Sequence, residues 1–337
     1  EIAAEVRRSD DGRPVFLNLG AHHAREWPSA EFPMEYARDL VAAHEDPGHP
    51  LHARALALLA AVRVVIVPVV NVDGFIASRS FGSSALDDDA LATLPQSAAG
   101  SGAYRRKNCR PNGDGAIPCA ARTSGVDLNR NYGYWWGGPG SSPSPAAQDY
   151  RGAAPFSEPE AQAVHAYSSA VHPTVVISNH TFTDAGWWLR QPGFDAAFLP
   201  QGPEGSITAD EPAMKALGDA MGAATGWPSD LGWALGDITG ATEDWNYFAQ
   251  GAYGYTPEAR GPNFHASYAT MVAGEYVGDP ADPADGVRGA FMLAGETAAD
   301  EAQHAVISGA APPGATLRLR KQFSSPSHPD APGDPVT

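Results

Sequence analysis

Four short apolar runs, each followed at once by a polar cluster, constrain this chain more than any other feature. They are Val15–Leu19, residues 62–70, Val175–Ser178 and residues 253–256. Such runs read as buried strands. Helical patterns separate them: residues 29–43, a stretch opening at Ser157 with Glu160 placed for a capping box, Glu211–Thr225, and residues 289–303. Strands alternating with helices predict an α/β fold, a mixed and largely parallel twisted sheet flanked by helices.

With 43% hydrophobic residues, a chain of 337 can bury one large core and leave residues over for a small appendage. The expected organisation is a principal domain over residues 1–303 and a C-terminal β-like extension with a flexible tail over 304–337. Residues 81–103 and 137–154, rich in Gly, Ser, Pro and Asp, read as long surface loops that frame a site or carry no order.

Charge excludes two classes of partner. With 22 Lys and Arg against 39 Asp and Glu, the formal net charge is −17, and its field repels nucleic-acid backbones and anionic membrane surfaces. No apolar run reaches the roughly 18 residues of a membrane span. No basic-then-apolar leader opens the chain, from which the expectation is a protein already processed or trimmed. Cys109 and Cys119 flank a Gly-, Pro- and Asn-rich segment short enough to close as a disulfide loop. That predicts an oxidising compartment; two free thiols in a cytosolic loop are the alternative.

The polar clusters after the four runs are GAHHAREW, NVDG, NHTF and PEAR. In open α/β sheets functional groups gather at the carboxyl ends of strands, so the four point to one crevice. In HAREW, His23 and Glu26 are spaced so that an imidazole nitrogen and a carboxylate can reach one ion at about 2 Å each. Taken alone, the pair also reads as a surface histidine near a helix start, with Glu26 favouring the helix dipole. A third histidine, His180, at the end of another strand shifts the balance towards a metal site.

Eight ordered segments, HAREW, NVDG, YRRKN, GVDLNRNY, PFSEPEAQA, ISNHTF, DWNY and YTPEAR, together resemble the zinc carboxypeptidase family that includes pancreatic carboxypeptidases A and B. The resemblance extends over most of residues 13–260. It implies one zinc ion held by His23, Glu26 and His180 with an open coordination position. His22 is a rival ligand without the spacing to Glu26. It further implies that Glu258 is the general base acting on the attacking water and that Arg106 stabilises the oxyanion. Asn129 and Arg130 would grip the terminal carboxylate of a peptide or protein substrate, the feature of an exopeptidase. Glu243 falls at the floor of the pocket for the outgoing side chain, which implies preference for C-terminal Lys or Arg. The expected setting is secreted.

The pattern is not complete. Gly236 stands where the family has a mobile tyrosine, Phe182 replaces another tyrosine, and Thr181 replaces a serine. Fewer residues precede His23 than the family's usual lead, an expectation of a truncated or processed start. Two rival functions remain open at this point: a silent peptide-binding module, and an amidase or cell-wall peptidase using the same zinc site. The acidic stretch 86–91 reads as a solvated run in preference to a calcium loop.

Overall fold

The computed structural model describes residues 1–4, 11–80, 102–109, 119, 124–191, 208–304, 309–315, 320, 322 and 327. Among them seven strands form one sheet: β1 Val15–Leu19, β2 Arg63–Val67, β3 Val175–Ser178, β4 His180–Thr183, β5 Trp187–Arg190, β6 Ser229–Leu231 and β7 Tyr253–Arg260. The order is β2-β1-β3-β7-β5-β6, with β4 also paired to β7. All pairings are parallel except β5 with β7. The sheet is therefore mixed and largely parallel, as the alternation of strands and helices predicts.

The apolar runs are continuous because both faces of the sheet are covered. Phe16, Val64, Val175 and Ile177 enter one core, with α1 (Pro28–Glu45), α2 (His52–Ala61), α5 (Glu211–Thr225) and α7 (Gly286–Ala299). Their neighbours Val15, Leu17, Val65 and Val176 enter a second core on the opposite face. There they meet α4 (Pro159–Val171) and Trp245 of α6 (Thr242–Trp245). Successive side chains on a strand point to opposite faces, so a strand buried on both must be apolar throughout.

Several expected boundaries move. β2 stops at Val67 and not at 70 because Pro68 has no N–H for the ladder. Conversely, β7 continues past 256 to Arg260, since β4 and β5 pair with its second half. The last helix runs over Gly286–Ala299 and not 289–303; Asp300 and Glu301 follow its final turn, where the helix dipole disfavours carboxylates. The capping box at Ser157 does not form. Ser157 Oγ instead donates to Glu158 Oε1 and accepts from Asn131 Nδ2, and the helix starts on Pro159. α3 (Val72–Ser80) follows directly on the NVDG turn.

Residues 137–154 contain no helix or strand, as expected. Cys109 and Cys119 form the expected disulfide. The acidic stretch 86–91, most of the loop 81–103 and most of the C-terminal β-like runs and tail lie outside the described residues.

Gly20 follows β1 and begins the turn into the first polar cluster. A Cβ there would run into the backbone oxygens of Ser29 and Pro68, which are held by a helix start and a strand end. Gly20→Ala should therefore destabilise the fold by about 1–3 kcal/mol through overpacking. Urea unfolding of the two proteins measures this, and equal midpoints would show that the turn has room to relax.

Candidate metal centre and active site

The carboxyl ends of β1, β3 and β7 bring the expected residues together. β1 leads through Gly20 and Ala21 to His22 and His23, and Glu26 follows just before α1. β3 ends at Ser178, Asn179 breaks the strand, and His180 opens β4. His23, Glu26 and His180 are buried, and one ligand atom from each lies within 4.8 Å of the others. His23 Nδ1 is 2.8 Å from Glu26 Oε1, His180 Nδ1 is 3.0 Å from Glu26 Oε2, and the two Nδ1 atoms are 3.0 Å apart.

Two imidazole nitrogens and a carboxylate, buried and converging, form the donor set of a catalytic zinc site. The facing Nδ1 atoms support the fit. With no cation between them, one must carry a proton to avoid opposed lone pairs; a bound cation lets both stay bare. Burial raises the Glu26 carboxyl, but the neighbouring His23 and His180 outweigh it and hold the group well below the usual range. It stays ionised, as a ligand must.

Behind this group stands Asp127, which the sequence reading passed over within GVDLNRNY. Its Oδ1 is 3.1 Å from His23 Nε2 and also accepts from the Asn129 backbone N–H at 3.0 Å. Its Oδ2 accepts from Arg106 Nε at 2.8 Å. Burial raises the Asp127 carboxyl, and Arg106 followed by His23 pulls it well below the ordinary value. A carboxylate here fixes Nε2 as the protonated nitrogen of His23 and leaves Nδ1 for a metal. Aspartate before an Asn-Arg pair, in a chain already offering a His-x-x-Glu, was the available signal.

Arg106 is clamped edge-on by Asp127, with Nη1 3.9 Å from Glu26 Oε1. Burial opposes its charge, yet Asp127 and Glu26 hold it raised, so it is a fixed cation beside His23, Glu26 and His180. Asn129 has its Oδ1 committed to the Thr242 N–H at 2.9 Å and its Nδ2 3.4 Å from His180 Nε2. Arg130 donates from Nε to Gly140 O at 2.6 Å and from Nη1 to Asn129 O at 2.7 Å, which anchors the guanidinium beside the same residues.

Glu258 lies in register with His180 on adjacent parallel strands, so both side chains leave the same face of the sheet. Burial raises its carboxyl, and although His180 opposes this, Glu26 and Glu243 add to it, bringing the group up to about 7. Glu243, in α6, is buried, and its Oε2 has no hydrogen-bond partner among the described residues.

The departures also have places. Gly236 has φ of 115°, a backbone conformation that L side chains rarely adopt, and among the described residues no heavy atom beyond its chain neighbours lies within 4 Å of where a Cβ would sit. A tyrosine would be strained on this backbone even though it has space. Phe182 packs edge-on against Phe264 with centroids 4.9 Å apart.

Residues 1–270 match the family model for zinc carboxypeptidases. The metallocarboxypeptidase A of Trichophyton tonsurans is 30% identical over 145 residues, 43% of this chain and 27% of that protein, so the chain spans only part of the fungal relative's length. Carboxypeptidase B of Astacus astacus is 26% identical over 257 residues, 74% of this chain and 71% of that one. The solved carboxypeptidase A of Helicoverpa armigera has a TM-score of 0.60 at 20% identity, over 86% of this chain and 62% of that chain, which is a likeness of fold. The family match runs through the histidine turn, Asp127 and both strands carrying His180 and Glu258, and by it the chain belongs to the zinc carboxypeptidase family.

Proposed function

We propose that this chain hydrolyses the C-terminal peptide bond of peptides with one zinc ion held by His23, Glu26 and His180, and prefers C-terminal Lys or Arg. The observation that carries the reading is the buried three-ligand group with Glu258 in register beside His180. A bound zinc ion supplies Lewis acidity.

The chain's own groups do the rest. Glu258 accepts a proton on its carboxylate from the attacking water and returns it to the departing amine. Burial, which raises the carboxyl above its ordinary value, makes it a stronger base than an exposed carboxylate and suits both steps. Arg106, locked by Asp127, presents positive charge where the carbonyl oxygen becomes an anion. Asn129 and Arg130 receive the terminal carboxylate of the substrate, which restricts cleavage to the last residue. The catalytic unit is residues 1–303, with 304–337 an extension. The disulfide fits a secreted protein, and no helix among the described residues is long and apolar enough to cross a membrane.

Side-chain preference rests on Glu243. A buried carboxylate oxygen without a partner is costly unless a ligand supplies one, and a substrate ammonium or guanidinium would. Release of free amino acid from blocked dipeptides, with and without a chelator, tests activity and preference together. Lys and Arg should be released fastest, and Glu243→Lys should reverse the order towards acidic or neutral residues. Faster release of Phe or Leu by the unaltered protein would reject the pocket assignment while leaving the zinc chemistry standing.

A further inference from the structure

His22 is fully buried beside the metal centre yet is not one of its three ligands. It is the middle of a hydrogen-bonded chain. His180 Nε2 is 3.1 Å from Ser178 Oγ, Ser178 Oγ is 3.1 Å from His22 Nδ1, and His22 Nε2 is 2.9 Å from the Tyr132 phenol oxygen.

The two ligand histidines are held differently at their outer nitrogens. His23 Nε2 faces the Asp127 carboxylate, which can only accept, so its tautomer is fixed. His180 Nε2 faces a hydroxyl, which can either donate or accept. It also faces the Asn129 Nδ2 group at 3.4 Å, oriented by the bond from Thr242 N to Asn129 Oδ1. An amide N–H and a donating hydroxyl would both favour a bare Nε2. The proton would then sit on Nδ1 and close that nitrogen to a metal. The direction of the Ser178 hydroxyl therefore decides whether His180 can ligate.

We propose that His22 is a positioning residue that sets this direction. Its bare Nδ1 accepts the Ser178 proton, so Ser178 Oγ must accept from His180 Nε2–H, while His22 Nε2–H donates to Tyr132. Three hydrogen bonds then share one sense, and His180 Nδ1 is presented as a lone pair. The proposal rests on the reading of His23, Glu26 and His180 as the zinc site. It gives the first of two adjacent histidines a function that spacing to Glu26 denies it.

Competition against a chromophoric chelator gives zinc affinities for the unaltered protein, Ser178→Ala, His22→Phe, His22→Gln and the double variant Ser178→Ala/His22→Phe. Melting of the metal-free proteins controls for folding. Ser178→Ala and His22→Phe should each weaken zinc binding by about 10–100-fold, the usual effect of losing a ligand's outer partner. His22→Gln, whose amide offers an acceptor and a donor, should recover much of the loss. His22→Phe should add little in the Ser178→Ala background, where the link is already cut. Nitrogen NMR of the metal-free protein should show His22 neutral with its proton on Nε2, and a proton on Nδ1 instead would overturn the proposal.

Affinity unchanged within about twofold in Ser178→Ala, or a full His22→Phe loss persisting in the Ser178→Ala background, would overturn the proposal. Ser178→Ala removes a single oxygen and decides the matter even where His22→Phe does not fold. If the unaltered protein binds no zinc, the reading of the metal site fails instead, and the His22 tautomer in the metal-free protein still decides the hydrogen-bond direction.

Discussion

Glu258→Gln is expected to lower turnover by about 10²–10⁴-fold, the contribution of a positioned general base, while leaving zinc content at the level of the unaltered protein. Glutamine keeps the size of the side chain and cannot take a proton from water. The variant should also melt no lower. The folded-state value of Glu258, about 7, lies above its ordinary 4.5, so its protonated form stabilises the fold at low pH. That contribution is lost as pH rises from 4.5 through about 7, and the metal-free variant should gain on the unaltered protein across that window. Near-normal turnover at full zinc occupancy would remove Glu258 from the mechanism. Turnover absent in both proteins, with zinc and peptide still bound, would instead favour a silent peptide-binding module.

His23→Ala should lose metal and activity together. His23 is one of the three residues proposed to hold zinc and is also the contact through which Asp127 reaches that group. A ligand at about 1,000 times its dissociation constant stabilises a fold by about 4 kcal/mol, so adding a chelator should lower the melting temperature of the unaltered protein markedly. The variant's melting temperature should not respond to chelator, and its zinc content by atomic absorption should be at background. A His23→Ala protein that retains zinc stoichiometrically and hydrolyses peptides would show that the metal sits elsewhere.

What could be read in advance follows the physics of burial. β1 and β3 are buried on both faces, so their apolar runs were continuous and their limits came out correctly. β4, β5 and β6 are three or four residues long and include His180, Arg190 and Asp230, so no run distinguished them from loops. α2 and α3 went unassigned between stronger patterns. That His23, Glu26 and His180 converge with Glu258 beside them was legible because spacing and strand ends carry over to geometry. Asp127, Ser178 and His22 were not, because hydrogen-bond partners one layer behind a ligand have no spacing rule; only folding brings Ser178 and His22, 156 positions apart, to 3.1 Å. Gly236 was visible as a missing tyrosine, but its positive φ was not.

The in-register pairing of His180 with Glu258 has a consequence for sequence variation. β7 first follows β3 as far as Tyr255, then Pro257 spans the gap opposite Asn179, and pairing resumes at Glu258 against β4. Inserting or deleting one residue between Tyr255 and Glu258 would turn the carboxylate to the opposite face of the sheet, and a two-residue change would restore its face but carry it roughly 7 Å along the strand. Length changes should therefore be tolerated in residues 46–50, the turn between α1 and α2 that carries neither strand register nor a site residue, and be lethal to function in this short stretch of β7. Random insertion scanning with selection for peptide hydrolysis would map that boundary directly.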